Sequence, residues 1–174
     1  MKQLSLLIVL IAFTFGVASA QDSETNLKKL PAISVKNLAG QTINTADLNN
    51  DGKPMIVSFW ALWCKPCINE LTTIADVYDD WTTETGVKLV AVSIDDARSS
   101  AKVGPTVNAK GWEYEVLLDV NGDFKRAMNV NMIPHTFLIN GNGEIVWQHT
   151  SFSEGSELEL IDMVRKLNAG QPIN

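Results

Sequence analysis

The chain has 174 residues, 20 acidic against 14 basic for a formal net charge of −6, and only two cysteines. An acidic chain without a basic stripe gives nucleic acid no electrostatic footing, which excludes that class of partner. No internal repeat or low-complexity tract breaks it up, and its length suits one domain with a proper core.

The first twenty residues read as an export signal. Lys2 supplies a basic start, residues 4–17 an uncharged apolar run, and Ala18-Ser19-Ala20 the small-x-small pattern of a cleavage site. The apolar run is shorter than the roughly 20 residues a spanning helix needs, which favours cleavage. An uncleaved leader would instead tether the domain. No cysteine follows Ala20, so a lipid-anchored start is excluded. The expected organisation is a signal peptide over 1–20, a flexible polar lead-in over 21–29 and one domain over 30–174. Export places the chain in the periplasm or outside the cell, where a cysteine pair tends to oxidise.

Residues 33–38 and 41–44 flank Ala39-Gly40 as a hairpin, and the turn chemistry of 49–54 closes that unit. Residues 55–60 are a continuous apolar run of strand length, as for a strand buried on both faces. Cys67, Leu71, Ile74, Tyr78 and Trp81 then recur at intervals of four and three, which predicts one amphipathic helix stopped by Gly86. Residues 87–94 form the next buried strand, 99–110 a weakly helical insertion interrupted by Gly104-Pro105, and 115–118 a short edge strand. A short helix over 124–128, with Asp123 as its N-cap, leads to Met132-Ile133-Pro134. Strands over 135–140 and 144–149 join through Gly141-Asn142-Gly143 as antiparallel neighbours. The last helix opens on a capping box at Ser156 and Glu159 and buries Leu158, Ile161, Val164 and Leu167. Alternating strands and helices that end in a hairpin and a helix predict an α/β layer fold with a mixed sheet.

Trp63-Cys64-Lys65-Pro66-Cys67 carries the chemistry. Two thiols three positions apart at a helix start lie one turn apart, within reach of a disulfide. Such a bridge closes almost no chain. On the loop-entropy account it contributes about 2 kcal/mol, against about 4.7 kcal/mol for a 100-residue loop, so it is a poor staple and a better reversible bond. Residues 59–67, after a strand and before a helix, resemble the active-site segment of the thioredoxin superfamily, and Ile133-Pro134 falls where that fold places a cis-proline loop. The signal peptide, added N-terminal β-hairpin, helical insertion and Glu70 make the chain similar to the TlpA/ResA-type exported thiol-disulfide oxidoreductases. The resemblance implies an α/β thioredoxin-like fold with a mixed central sheet. It also implies an oxidoreductase of protein disulfides, without an organic cofactor, fed electrons by a membrane thiol donor, with cytochrome c maturation as one duty.

Within that reading Cys64 is the nucleophile, favoured as thiolate by the unpaired N–H groups of the first turn and by Lys65. Cys67 is the resolving thiol, and Pro66 fits the first turn without loss of a hydrogen bond. Thioredoxins carry a buried acid six residues before the first cysteine; here that position is Ser58, a departure. Glu70, one turn past Cys67, is the alternative base, against the plainer reading of a solvated charge favouring the helix start. Trp63, Lys65, Pro66, Ile133 and Pro134 are the expected client-binding surface, Ile133 offering backbone to an extended strand. His135 either tunes Cys64 as an imidazolium or faces solvent.

Other chemistries fit less well. Two cysteines and two histidines lack zinc-finger spacing, so no metal site is expected. Sco-type copper carriers space their cysteines more widely. The acidic turn 119–123 has its glycine misplaced for a calcium loop. No threonine-and-proline segment leads into Cys64 as in peroxiredoxins. An oxidant or isomerase of the same fold, or a non-catalytic partner-binding module, are the alternatives to a reductant.

Overall fold

A computed structural model describes residues 27–173; the expected signal peptide and most of the lead-in lie outside them. Seven strands form one mixed sheet. In chain order they are β1 (Ser34–Asn37), β2 (Thr42–Asn44), β3 (Met55–Trp60), β4 (Lys88–Ser93), β5 (Glu115–Leu118), β6 (His135–Ile139) and β7 (Ile145–Thr150). Across the sheet the order is β2-β1-β5-β4-β3-β6-β7. β3, β4 and β5 are parallel, while β6 and β7 on one side and the β1–β2 hairpin on the other run antiparallel to their neighbours.

β3 shows why its sequence is apolar throughout. Ile56 and Trp60 enter one core layer with Leu71, Ile74, Trp81, Ile161 and Val164. Met55, Val57 and Phe59 enter the opposite layer with Leu30, Phe124, Val130 and Phe137. Successive strand residues point to opposite faces, so a strand covered on both sides has no solvent position to make polar. Ser58 is its one polar side chain, fully buried on the Trp60 face.

Several expectations need correction. The helix expected to run to Gly86 is two: α1 (Lys65–Ala75) and α2 (Tyr78–Thr85). Val77 N donates to Ile74 O, three residues back, and this tightened turn re-aims the axis while the apolar spacing continues across it. The segment 115–118 is an interior strand, because β1 pairs along its outer side and moves the edge to β2. The insertion becomes a short 3-10 turn, Ser100–Lys102, and α3 (Val103–Lys110); Pro105 stands in the first turn, where its missing N–H costs nothing. The helix α4 (Asp123–Ala127) is capped by Asp119, whose carboxylate accepts from Phe124 N at 3.1 Å and Lys125 N at 2.7 Å, while Asp123 pairs with Arg126 instead.

The last helix, α5 (Ser156–Asn168), has Gly155 rather than Ser156 at its N-cap, and no capping box forms. Ser156 donates to Ser153 O at 2.8 Å, and Glu157 reaches back to Gly155 N at 3.0 Å. The helix accordingly buries Leu160, Ile161, Met163 and Val164, and Leu158 is 67% exposed. At the other end of the domain, Lys28 and Lys29 are tied to the sheet: Lys28 O accepts from Ile145 N at 2.8 Å and Lys29 bridges to Glu144.

Candidate active site

The parallel strands deliver their C-terminal ends to one rim of the sheet, and the chain leaves β3 there through Ala61-Leu62-Trp63. Two hydrogen bonds shape that turn. Cys64 N donates to Ala61 O at 3.0 Å, and Leu62 N donates to Asp95 Oδ2 at 2.9 Å. Asp95, just past β4, is buried and also accepts from Ser93 Oγ. It thus ties the cysteine turn to the neighbouring strand.

Cys64 stands at the N-cap of α1 with extended backbone, and its Sγ accepts from Cys67 N at 3.3 Å. A sulfur there takes up one of the N–H groups that the first helical turn leaves without a partner. Cys64 and Cys67 are joined as a disulfide with Cα atoms 5.3 Å apart, so this is the oxidised form. The two sulfurs differ in access: Cys67 is 0% exposed and Cys64 5%. Around Cys64 stand Trp63, 70% exposed, and the exposed Lys65 and Pro66.

β6 starts opposite the end of β3, with His135 paired to Phe59. That register brings the half-buried Ile133 and buried Pro134, joined by a cis peptide bond, beside the cysteine turn. Exposed Met132 precedes them.

Glu70 is not a solvated helix-start charge. It is 4% exposed and faces the sheet from α1. Thr136 Oγ1 donates to its Oε1 at 2.9 Å, Ser58 Oγ donates to its Oε2 at 3.4 Å, and the two hydroxyls lie 3.0 Å apart. Burial pushes its carboxyl up from the usual carboxylate range to about 7, against the opposing pull of Thr136 and then Ser58. Ser58 and Thr136 are direct cross-strand partners on β3 and β6. The position that departs from the thioredoxin acid therefore holds an acid supplied from the helix.

His135 does neither of the things expected of it. Paired with Phe59, its side chain takes the face of the sheet opposite Ser58, Thr136 and Glu70, because neighbouring strand residues alternate. It is 8% exposed, stacks on Phe137 with ring centroids 4.3 Å apart, and Nε2 lies 3.1 Å from Gln148 Oε1. Burial lowers its pKa, with Gln148 opposing and nearby His149 adding to the drop, which disfavours an imidazolium. Its ring lines an open groove of about 1080 Å³ with Met128, Met132 and Gln148, and neither cysteine contributes to that groove.

Thr136 and Asp95 are the residues sequence reasoning missed. Thr136 had a signal: a lone Ser58 in an apolar, two-sided strand needs a buried polar partner. Asp95 had a weaker one, an acid immediately after a buried strand.

A family model described as AhpC/TSA matches residues 27–148. The chain belongs to the AhpC/TSA family. Among its curated relatives is the thiol-disulfide oxidoreductase ResA of Oceanobacillus iheyensis, 30% identical over 80% of this chain and 74% of the relative. Another is sporulation thiol-disulfide oxidoreductase A of Bacillus subtilis, 30% identical over 80% of this chain and 82% of the relative. Among solved structures, an uncharacterized thioredoxin-like protein from Porphyromonas gingivalis is 58% identical, covers 80% of this chain and 92% of its own, and superposes with a TM-score of 0.73. This AhpC/TSA member is a thiol-disulfide oxidoreductase with a thioredoxin-like fold, and the expected mixed sheet with its added hairpin is the one observed.

Proposed function

We propose that the chain is an exported reductant of disulfides in other exported proteins, working through Cys64, Cys67 and Glu70. The observation that carries this is the pairing of a helix-capping sulfur with a fully buried one, and of that buried sulfur with a buried acid one turn further along α1. A proton acceptor matched to neutral pH is what a buried thiol needs before it can attack.

In the reduced form, the Cys64 thiolate attacks one sulfur of a client disulfide. A Cys64–client bond forms, and the other client sulfur leaves as a thiolate. Cys67 then gives its proton to Glu70 and attacks the Cys64 sulfur, expelling the second client thiolate. The client gains two electrons and, with two protons, becomes a dithiol; the Cys64–Cys67 pair is left oxidised. A membrane-held dithiol donor would return the two electrons. The exposed ring of Trp63, with Lys65 and Pro66, and the backbone of Ile133 beside Pro134 would receive an extended client segment.

The leader over 1–20 supports export, and with it a periplasmic working place, the mature domain following a lead-in over 21–29. The relatives named as thiol-disulfide oxidoreductases support the disulfide chemistry; cytochrome c maturation, which the resemblance to the TlpA/ResA type implies, is one duty proposed for it. A measured reduction potential tests the direction of electron flow: a value near about −270 mV agrees with a reductant, and one near about −120 mV makes the chain an oxidant. A partner whose binding is unchanged by loss of both thiols would instead favour a non-catalytic module.

A further inference from the structure

Glu70 lies under two hydroxyls that come from different strands. Ser58 and Thr136 are paired in register across β3 and β6, so the sheet itself holds their oxygens 3.0 Å apart on the α1 face. Both are buried, and each hydroxyl has one hydrogen to give and lone pairs to accept with. Toward an ionised Glu70, Thr136 gives its hydrogen to Oε1 at 2.9 Å and Ser58 its own to Oε2 at 3.4 Å; the 3.0 Å contact between the hydroxyls lets Thr136 donate to Ser58 instead. An ionised carboxylate only accepts, and two donors suit it. A protonated one must also donate, and either hydroxyl can rotate to receive that hydrogen. The pocket therefore satisfies Glu70 in both states without moving the backbone.

We propose that Thr136 and Ser58 are positioning residues for the thiol exchange: their hydroxyls fix the Glu70 carboxyl in the core and hold it ready to take a proton in a layer that would otherwise keep it neutral. The inference rests on the proposed role of Glu70 as acceptor for Cys67. Thr136 is the stronger partner, being 0.5 Å nearer in donor–acceptor distance than Ser58 at 2.9 against 3.4 Å. The other titratable side chains near the carboxyl are Cys67 on its own helix, Tyr114 ahead of β5 and His149 on β7. Tyr114 is kept neutral by burial, the charge of Glu70 and Tyr78, and donates to Leu71 O at 3.1 Å. His149 is the cross-strand partner of Thr136 on the same face.

The test is a carboxyl-carbon NMR titration of the oxidised full chain, with the Glu70 signal assigned by its loss in Glu70→Gln. Thr136→Val keeps the shape and removes the hydroxyl. It should move the midpoint up from about 7 by about one pH unit, roughly a tenfold loss of ionised carboxyl below the midpoint. Ser58→Ala should move it the same way by less, and Thr136→Ser should restore it. The pH profile of mixed-disulfide resolution in the wild type and Thr136→Val should shift together with the NMR midpoint. A midpoint unmoved in both Thr136→Val and Ser58→Ala overturns the proposal and leaves the role of Glu70 standing. An unchanged resolution profile in Glu70→Gln instead removes the role of Glu70, and the positioning role with it. Should Thr136→Val fail to fold, Ser58→Ala and the Thr136→Ser comparison still decide.

Discussion

Glu70 is costly to keep where it is. Its carboxyl titrates near 7 in the folded chain against 4.5 in an unfolded one. The folded state therefore holds the proton more tightly, and stability falls as pH rises between those values. The contribution is fully present below about 4.5 and is lost by about 7.5. Two and a half units correspond to about 3 kcal/mol. Glu70→Gln should thus melt at nearly the wild-type temperature at pH 4 and at a clearly higher one at pH 8, as thermal scans across pH would read. The same variant should resolve mixed disulfides on the order of a hundredfold more slowly at pH 7, the range for losing a general base, in a stopped-flow release assay. A stabilising substitution that disables the chemistry is the signature of a functional acid. A structural one would lose both.

At the scale of elements, the turn that carries Cys64 depends on Asp95. Asp95→Ala removes the acceptor of Leu62 N and of Ser93 Oγ. It should cost about 1.5–3 kcal/mol by denaturant unfolding and slow the attack of Cys64 on a small disulfide. The far end of the sheet offers a control. A Cβ on Gly141 would stand 2.0 Å from Gly52 O, so the β6–β7 turn sits backbone to backbone on the loop before β3. Gly141→Ala should cost about 1–3 kcal/mol and leave the redox potential of the cysteine pair unchanged.

The elements also show what a sequence can and cannot reveal. β3, the two cysteines at the start of α1 and the β6–β7 hairpin were legible because burial on both faces, a helix start and a glycine turn each leave a local pattern. The break between α1 and α2 was not, since the shift from four-residue to three-residue hydrogen bonding at Val77 leaves the apolar spacing intact. β5 read as an edge because its cover, β1, lies some eighty residues earlier, at Lys36 against Leu118. The site divided the same way. Cys64, Cys67 and Glu70 share one helical turn or two, so spacing brought them together. Thr136 reaches Glu70 only through strand pairing, and the same pairing turns His135 to the other face.

Across the whole molecule, the fold and the redox bond are nearly independent. Two apolar layers enclose the sheet, and the disulfide spans only three positions of one helix start. Reduction should therefore cost about 2 kcal/mol or less and lower the melting temperature by a few degrees, with the circular dichroism of the native fold retained. A chain built this way can cycle between redox states without unfolding, which is what repeated electron transfer asks of it.

The most direct measurement is capture of mixed disulfides in the native host with Cys67→Ser and Cys64→Ser variants, read by non-reducing electrophoresis and mass spectrometry. Cys67→Ser should accumulate exported proteins linked through Cys64, since attack proceeds and release does not. Cys64→Ser should accumulate none. Equal trapping by the two variants, or no adduct at Cys64, would contradict the assignment of attack and release on which the account stands.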